Sequence, residues 1–160
     1  MSALMSLPQS QQQGRQANQN GKAFEQQIAQ RLRSKGYMQV DVIPEYQNPN
    51  QPFFISQYRS PFVSIYNLPM RVDFFVWHPS RYPNGLIVEC KYQEIAGSTD
   101  EKLPYTVACL KKTGIPAILL LIGKGAKRGA IDWRLNQQDQ LLTVFSDFEA
   151  FFRAANRDLL

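Results

Sequence analysis

Histidine and cysteine are almost missing from this chain. One histidine and two cysteines in 160 residues leave no ligand set for a structural zinc site and no disulfide framework. A serine–histidine–aspartate triad would have to use His78, which sits in a turn-rich stretch with Pro79, Pro83, Asn84 and Gly85 and reads as a surface residue. Long apolar runs are missing too. The longest run of large aliphatic residues, 118–122, falls far short of a membrane span. No basic segment followed by a long apolar stretch opens the chain, so no signal peptide is expected. Acidic residues are in deficit: 13 Asp and Glu against 18 Lys and Arg give a net charge of +5. That surplus suits a polyanionic partner. What is present is enough for a core, with 44% hydrophobic and 19% charged residues in a chain of single-domain size.

Residues 1–20 differ from the rest, with six glutamines, two asparagines, three serines and Arg15 as the one charged side chain. They read as a flexible arm, leaving 21–160 as the folded domain. Residues 21–35 predict a helix, because Phe24, Ile28 and Leu32 recur every fourth position and Gly36 suits its C-terminal cap. Residues 38–43 read as a strand stopped by Pro44. Residues 53–58 and 62–66 are rich in aromatic and β-branched residues, with Pro61 between them. They read as a hairpin or a long irregular insertion. Residues 70–77 and 86–92 predict an antiparallel strand pair, with Val72, Phe74 and Val76 on one face and Arg71, Asp73, Phe75 and Trp77 on the other. A helix follows over 98–113, opened by Ser98 and Glu101 in capping-box spacing. Residues 116–122 read as a buried strand, 123–129 as a glycine-rich basic loop, and 141–145 as a short strand. Ser146 and Glu149 predict a second capping box opening a last helix to about 156. The order implies an α/β fold with a mixed sheet between helices.

The informative charges lie on strands that ought to be buried. Asp73 interrupts Val72, Phe74, Phe75 and Val76; Glu89 and Lys91 interrupt Leu86, Ile87, Val88 and Cys90. Desolvating an uncompensated charge costs several kcal/mol, so three on adjacent strands mark a site. Glu89 and Lys91 are two apart and share one strand face, while Cys90 points into the core; Cys90 and Cys109 read as reduced core thiols. An antiparallel neighbour brings Asp73 beside Glu89. Two carboxylates that close repel unless a cation lies between them, and hard oxygen donors suit Mg²⁺ or Mn²⁺. Lys91 is no ligand while protonated, but it can neutralise a phosphate oxygen, or orient or deprotonate a water. A buried salt bridge is the structural alternative. It would account for Lys91 and one carboxylate and leave the other over.

Asp73, then fifteen residues, then Glu89-Cys90-Lys91 resembles the signature of the PD-(D/E)XK nuclease superfamily. The expected core is the restriction-endonuclease-like α-β-β-β-α-β arrangement, over residues 21 to about 122. Val72 stands where the family pattern has proline. The resemblance implies Asp73 and Glu89 as metal ligands, Lys91 as the catalytic lysine and Glu25 as an additional acidic residue aimed at the site. It also implies Gln93 as a polar residue contacting water, metal or phosphate. Lys91-Tyr92-Gln93, followed by Gly97-Ser98 and Glu101-Lys102, resembles small phage and prokaryotic members, which directs Lys102 toward phosphate. Lys124, Lys127 and Arg128 are candidate phosphate grips in a loop that is no Walker motif, and Arg59 and Arg71 are candidates for lining a DNA groove. The implied protein is a cytoplasmic Mg²⁺-dependent DNA endonuclease, working as a homodimer or higher homo-oligomer. The alternative is a non-catalytic nucleic-acid-binding protein that keeps the fold.

Overall fold

The computed structural model describes residues 9–93 and 99–160. Its elements in chain order are α1 (Gln9–Ser34), β1 (Met38–Gln39), β2 (Phe53–Val63), β3 (Pro69–His78), β4 (Tyr82–Tyr92), α2 (Thr99–Lys112), β5 (Ala117–Ile122), α3 (Arg128–Leu135), β6 (Leu142–Phe145) and α4 (Phe148–Ala154), closed by a π-helical turn at Ala155–Leu159. Within this order α1, β2, β3, β4, α2 and β5 form the α-β-β-β-α-β core. The six strands make one mixed sheet in sequence order. β2, β3 and β4 are antiparallel, whereas β1 runs parallel to β2 and β5 and β6 run parallel to β4. Parallel β4–β5 pairing requires a crossover, which α2 supplies. No helix among the described residues is long and apolar enough to cross a membrane.

The sheet separates two cores. Ile28, Ala29 and Leu32 of α1 and Phe151 of α4 pack with Phe54, Phe74, Val76, Val88 and Leu120. Leu103, Val107 and Leu110 of α2 pack on the other side with Phe53, Ile55, Phe75, Ile87 and Leu119. Both faces are covered, which explains the continuous aliphatic run of β5.

Several boundaries differ from the sequence reading. α1 starts at Gln9, so the second half of the expected flexible arm is helix. Glutamine is a good helix former, and Asn20 Nδ2 donates to the Tyr92 hydroxyl at 2.9 Å, tying that stretch to β4. The other end matches: Gly36 has φ +88°, with Tyr37 N–H on the Leu32 carbonyl and Gly36 N–H on that of Arg33, the Schellman arrangement. β1 is only two residues long. Where the sequence reading expects a hairpin or an irregular insertion over 53–58 and 62–66, residues 53–63 form a single strand, β2. It runs through Pro61, where its register with β3 slips between Arg59 and Val63; proline is tolerated at such an irregularity. α3 replaces the end of the expected basic loop. The cap of α4 is Asp147, whose carboxylate accepts from the N–H groups of Glu149 and Ala150, and not Ser146. Ser98 lies outside the described residues.

Candidate active site

The site begins where the β3–β4 ladder ends. Pairing runs through Phe75 with Ile87 to Phe74 with Val88. One residue further, Asp73 and Glu89 stand at the fork. Each carboxylate takes the place of a ladder carbonyl on the opposite strand. Cys90 N–H donates to Asp73 Oδ2 at 2.8 Å, and Asp73 N–H donates to Glu89 Oε2 at 3.3 Å. Backbone donors freed by the parting strands are thus satisfied by the carboxylates that part them.

The pleat is interrupted at the same point. Phe74 and Val76 pack on the α1 side, whereas Val72 packs on the α2 side. The expected common face of Val72 and Phe74 is therefore broken across Asp73. Gln57, between the partners of Phe74 and Val72 on β2, has φ +53°. A non-glycine residue in that region marks a local distortion.

Gln57 was not among the sequence candidates. Its Nε2 donates to Glu25 Oε2 at 2.7 Å and to Asp73 Oδ1 at 3.3 Å. One amide therefore links the acid of α1 to the acid of β3. The signal available in sequence was a polar residue inside an aromatic strand; its partner was invisible until the register was known.

Lys91 forms an ion pair with Glu89 Oε1. Burial first, then the charge of Asp73, raises the Glu89 carboxyl above its ordinary value, with Lys91 opposing both. For Lys91 burial pulls the pKa down, but the Glu89 charge and hydrogen bond outweigh it and the net direction is up. Glu25 is likewise raised, by burial and then by Asp73. Burial and the three surrounding carboxylates hold the Cys90 thiol well above its usual range, so it stays protonated; Cys90 and Cys109 are both free.

Glu89 and Lys91 open into a cleft of about 500 Å³ that is also lined by Arg71, Lys102 and Tyr105. Arg71 stands directly opposite Arg59 in the β2–β3 ladder, a like-charge pair whose repulsion is eased by the Glu25 carboxylate within electrostatic range of Arg71. Gln93 turns its amide to the Gly125 carbonyl at 3.2 Å, and Gly125 N–H returns a bond to the Gln93 carbonyl at 2.9 Å. The structure therefore gives Gln93 a loop-anchoring contact, which brings the basic loop to the end of β4. Lys124, Lys127 and Arg128 are exposed there, and Asp100 Oδ2 accepts from Lys127 N–H at 3.1 Å. His78 lies at the opposite end of β3 from the fork, where Nδ1 accepts from Arg81 N–H at 3.2 Å. Among the described residues no three His, Cys, Asp or Glu side chains converge closely enough to hold a metal ion unaided.

A family model described as PD-(D/E)XK nuclease superfamily domain matches residues 16–156. No curated protein and no solved structure matches the chain.

Proposed function

Since this chain belongs to the PD-(D/E)XK nuclease superfamily, we propose that it is a Mg²⁺-dependent endonuclease hydrolysing DNA phosphodiester bonds. The observation carrying this reading is the fork itself. Two carboxylates and a lysine meet where β3 and β4 part, and Glu89 and Lys91 open from there into a cleft whose other charged lining residues are Arg71 and Lys102.

Nucleases of this superfamily generally use divalent metal ions. The donor set fits one that keeps part of its water shell. Mg²⁺ characteristically takes one or two carboxylates, with waters and substrate phosphate completing the shell. Asp73 and Glu89, side by side at the fork, supply that number. Burial, and after it repulsion from Asp73, raises the Glu89 carboxyl; a cation between the two would relieve the second effect. When bound, the ion supplies Lewis-acid polarisation of a phosphate oxygen and acidifies a water.

The remaining work belongs to the chain. Glu89 orients the Lys91 ammonium through their ion pair. Held as a cation, Lys91 neutralises a phosphate oxygen and orients the attacking water; of the roles open to it in sequence, these are the ones its pairing favours. Arg71 and Lys102 draw the phosphate backbone into the cleft. Glu25 acts at one remove, through Gln57, on the position of Asp73. Cutting both strands at one locus takes two clefts, so the active species in this reading is a homodimer or larger homo-oligomer.

Nicking of supercoiled plasmid with and without Mg²⁺, with Mn²⁺ as a substitute, tests the reading. Asp73→Asn and Glu89→Gln keep an oxygen for the backbone donors at the fork but remove the charge. Both are expected to abolish cleavage while DNA affinity holds. Lys91→Ala should slow cleavage by roughly 10²–10⁴-fold. Near wild-type nicking by either carboxylate variant would overturn the assignment.

A further inference from the structure

The tip of the β2–β3 hairpin is built against the usual chemistry of turns. Turn residues are normally polar or glycine, yet Val63, Ile65, Tyr66 and Leu68 are exposed by 40%, 38%, 69% and 59%. Single exposed apolar residues need no explanation; a contiguous group does. The tip is also fixed in place. Ser64 N–H donates to the Leu68 carbonyl at 2.8 Å. Lys112 of α2 donates to the Ser64 carbonyl and to Asn67 Oδ1, each at 2.8 Å. Tyr66 then stacks on Tyr105 of α2, with ring centroids 5.3 Å apart and planes 30° from parallel. Tyr105 lines the same cleft as Glu89 and Lys91.

The patch thus has flat aromatic faces on one side of the cleft and cations within it. Arg71 and Lys102 line the cleft, and Arg59 stands beside Arg71. The complementary ligand carries phosphates and exposed planar apolar faces together. A continuous duplex offers the first but stacks the second away; unpaired nucleotides offer both. We propose that the hairpin tip is a stacking platform for an unpaired base beside the scissile phosphate, so that the preferred substrate is DNA with a single-stranded arm or junction. The inference rests on the nuclease reading for the word scissile, but the binding it describes needs no catalysis.

The test uses the full chain in EDTA and two labelled DNAs of equal length, one a blunt duplex and one a duplex with a single-stranded arm. Binding is followed by anisotropy, and 2-aminopurine at the first unpaired position reports stacking. The wild type is expected to prefer the armed DNA and to quench the probe. Tyr66→Ala should weaken binding to the armed DNA about tenfold and abolish quenching, with a change below about twofold on blunt duplex. Tyr66→Trp should restore both, and Leu68→Ser gives an independent second variant on the same tip. Equal losses on both DNAs, or no loss, overturn the proposal. So does sedimentation showing that Tyr66→Ala dissociates an oligomer while the preference for armed DNA survives, since the tip would then be a contact between copies. Preference and quenching without any cleavage in Mg²⁺ would refute the nuclease reading and leave the platform standing; cleavage without preference would do the reverse.

Discussion

Gln57 concentrates two opposed effects in one residue. Its backbone is held at φ +53°, which costs a non-glycine residue of order 1–2 kcal/mol. Its amide offsets this by bonding two carboxylates that would otherwise repel. Gln57→Ala and Gln57→Gly both remove the amide, but only glycine also removes the strain. The glycine variant should therefore be the more stable of the pair by about 1 kcal/mol in chemical denaturation. Both should lower the nicking rate through the position of Asp73. A glycine variant no more stable than the alanine one would mean that the distortion stores no strain. Asp73, Glu89 and Lys91 were legible in sequence because charges inside apolar strands stand out against their neighbours. Gln57 was not, because an uncharged polar residue in a strand is unexceptional. Its significance arises only when the fold sets it between α1 and β3. Glu25 was legible as a charge on the first helix but not as the hydrogen-bond partner of Gln57.

At the scale of elements, local pattern located what local pattern determines. The apolar stripe of α1, the β4 strand with its buried half and the aliphatic β5 follow from periodicity and composition. α3 did not, because its eight residues carry few buried groups and its first turn is satisfied from elsewhere. Lys127 has no side-chain cap of its own, and Asp100 from α2 accepts its N–H. Such a helix start is fixed by tertiary contact, which a scan along the chain does not see. The entry to β6 shows a related device. Asp139 accepts from Leu141 and Leu142 N–H at 2.9 and 2.8 Å and pairs with Lys111 at 2.8 Å. The Lys111 hydrogen bond, then the two backbone donors, lower its pKa from 3.8 to about 2. A depressed carboxyl stabilises the fold above its unfolded pKa, and the contribution fades as pH falls through the folded one. Asp139→Asn should therefore lower Tm at neutral pH, with the difference from wild type shrinking between about pH 4 and pH 2. A difference independent of pH in thermal melts would assign the effect to packing and not to charge. The pair is exposed, so salt should also reduce the difference.

Across the whole molecule, strands β3 and β4 make the fork, and the loop after β5 is tied to the end of β4. Gln93 and Gly125 exchange two hydrogen bonds, which holds the loop of Lys124, Lys127 and Arg128 at the end of β4, the strand that carries Glu89 and Lys91. A duplex seated across such a surface releases counterions in proportion to the phosphates it meets. Each neutralised phosphate steepens the fall of log K with log salt by about 0.9. Replacing Lys124, Lys127 and Arg128 together with alanine should flatten that slope by up to about 3 if each reaches a phosphate. The side chains removed are neither the fork carboxylates nor Lys91, so saturating DNA should restore most of the cleavage rate. Binding titrations at several salt concentrations, paired with single-turnover cleavage, separate the two effects. An unchanged slope would mean that the loop charges stay in solvent when DNA binds. The phosphate contacts would then fall to Arg59, Arg71 and Lys102, of which Arg71 and Lys102 line the cleft beside Glu89 and Lys91.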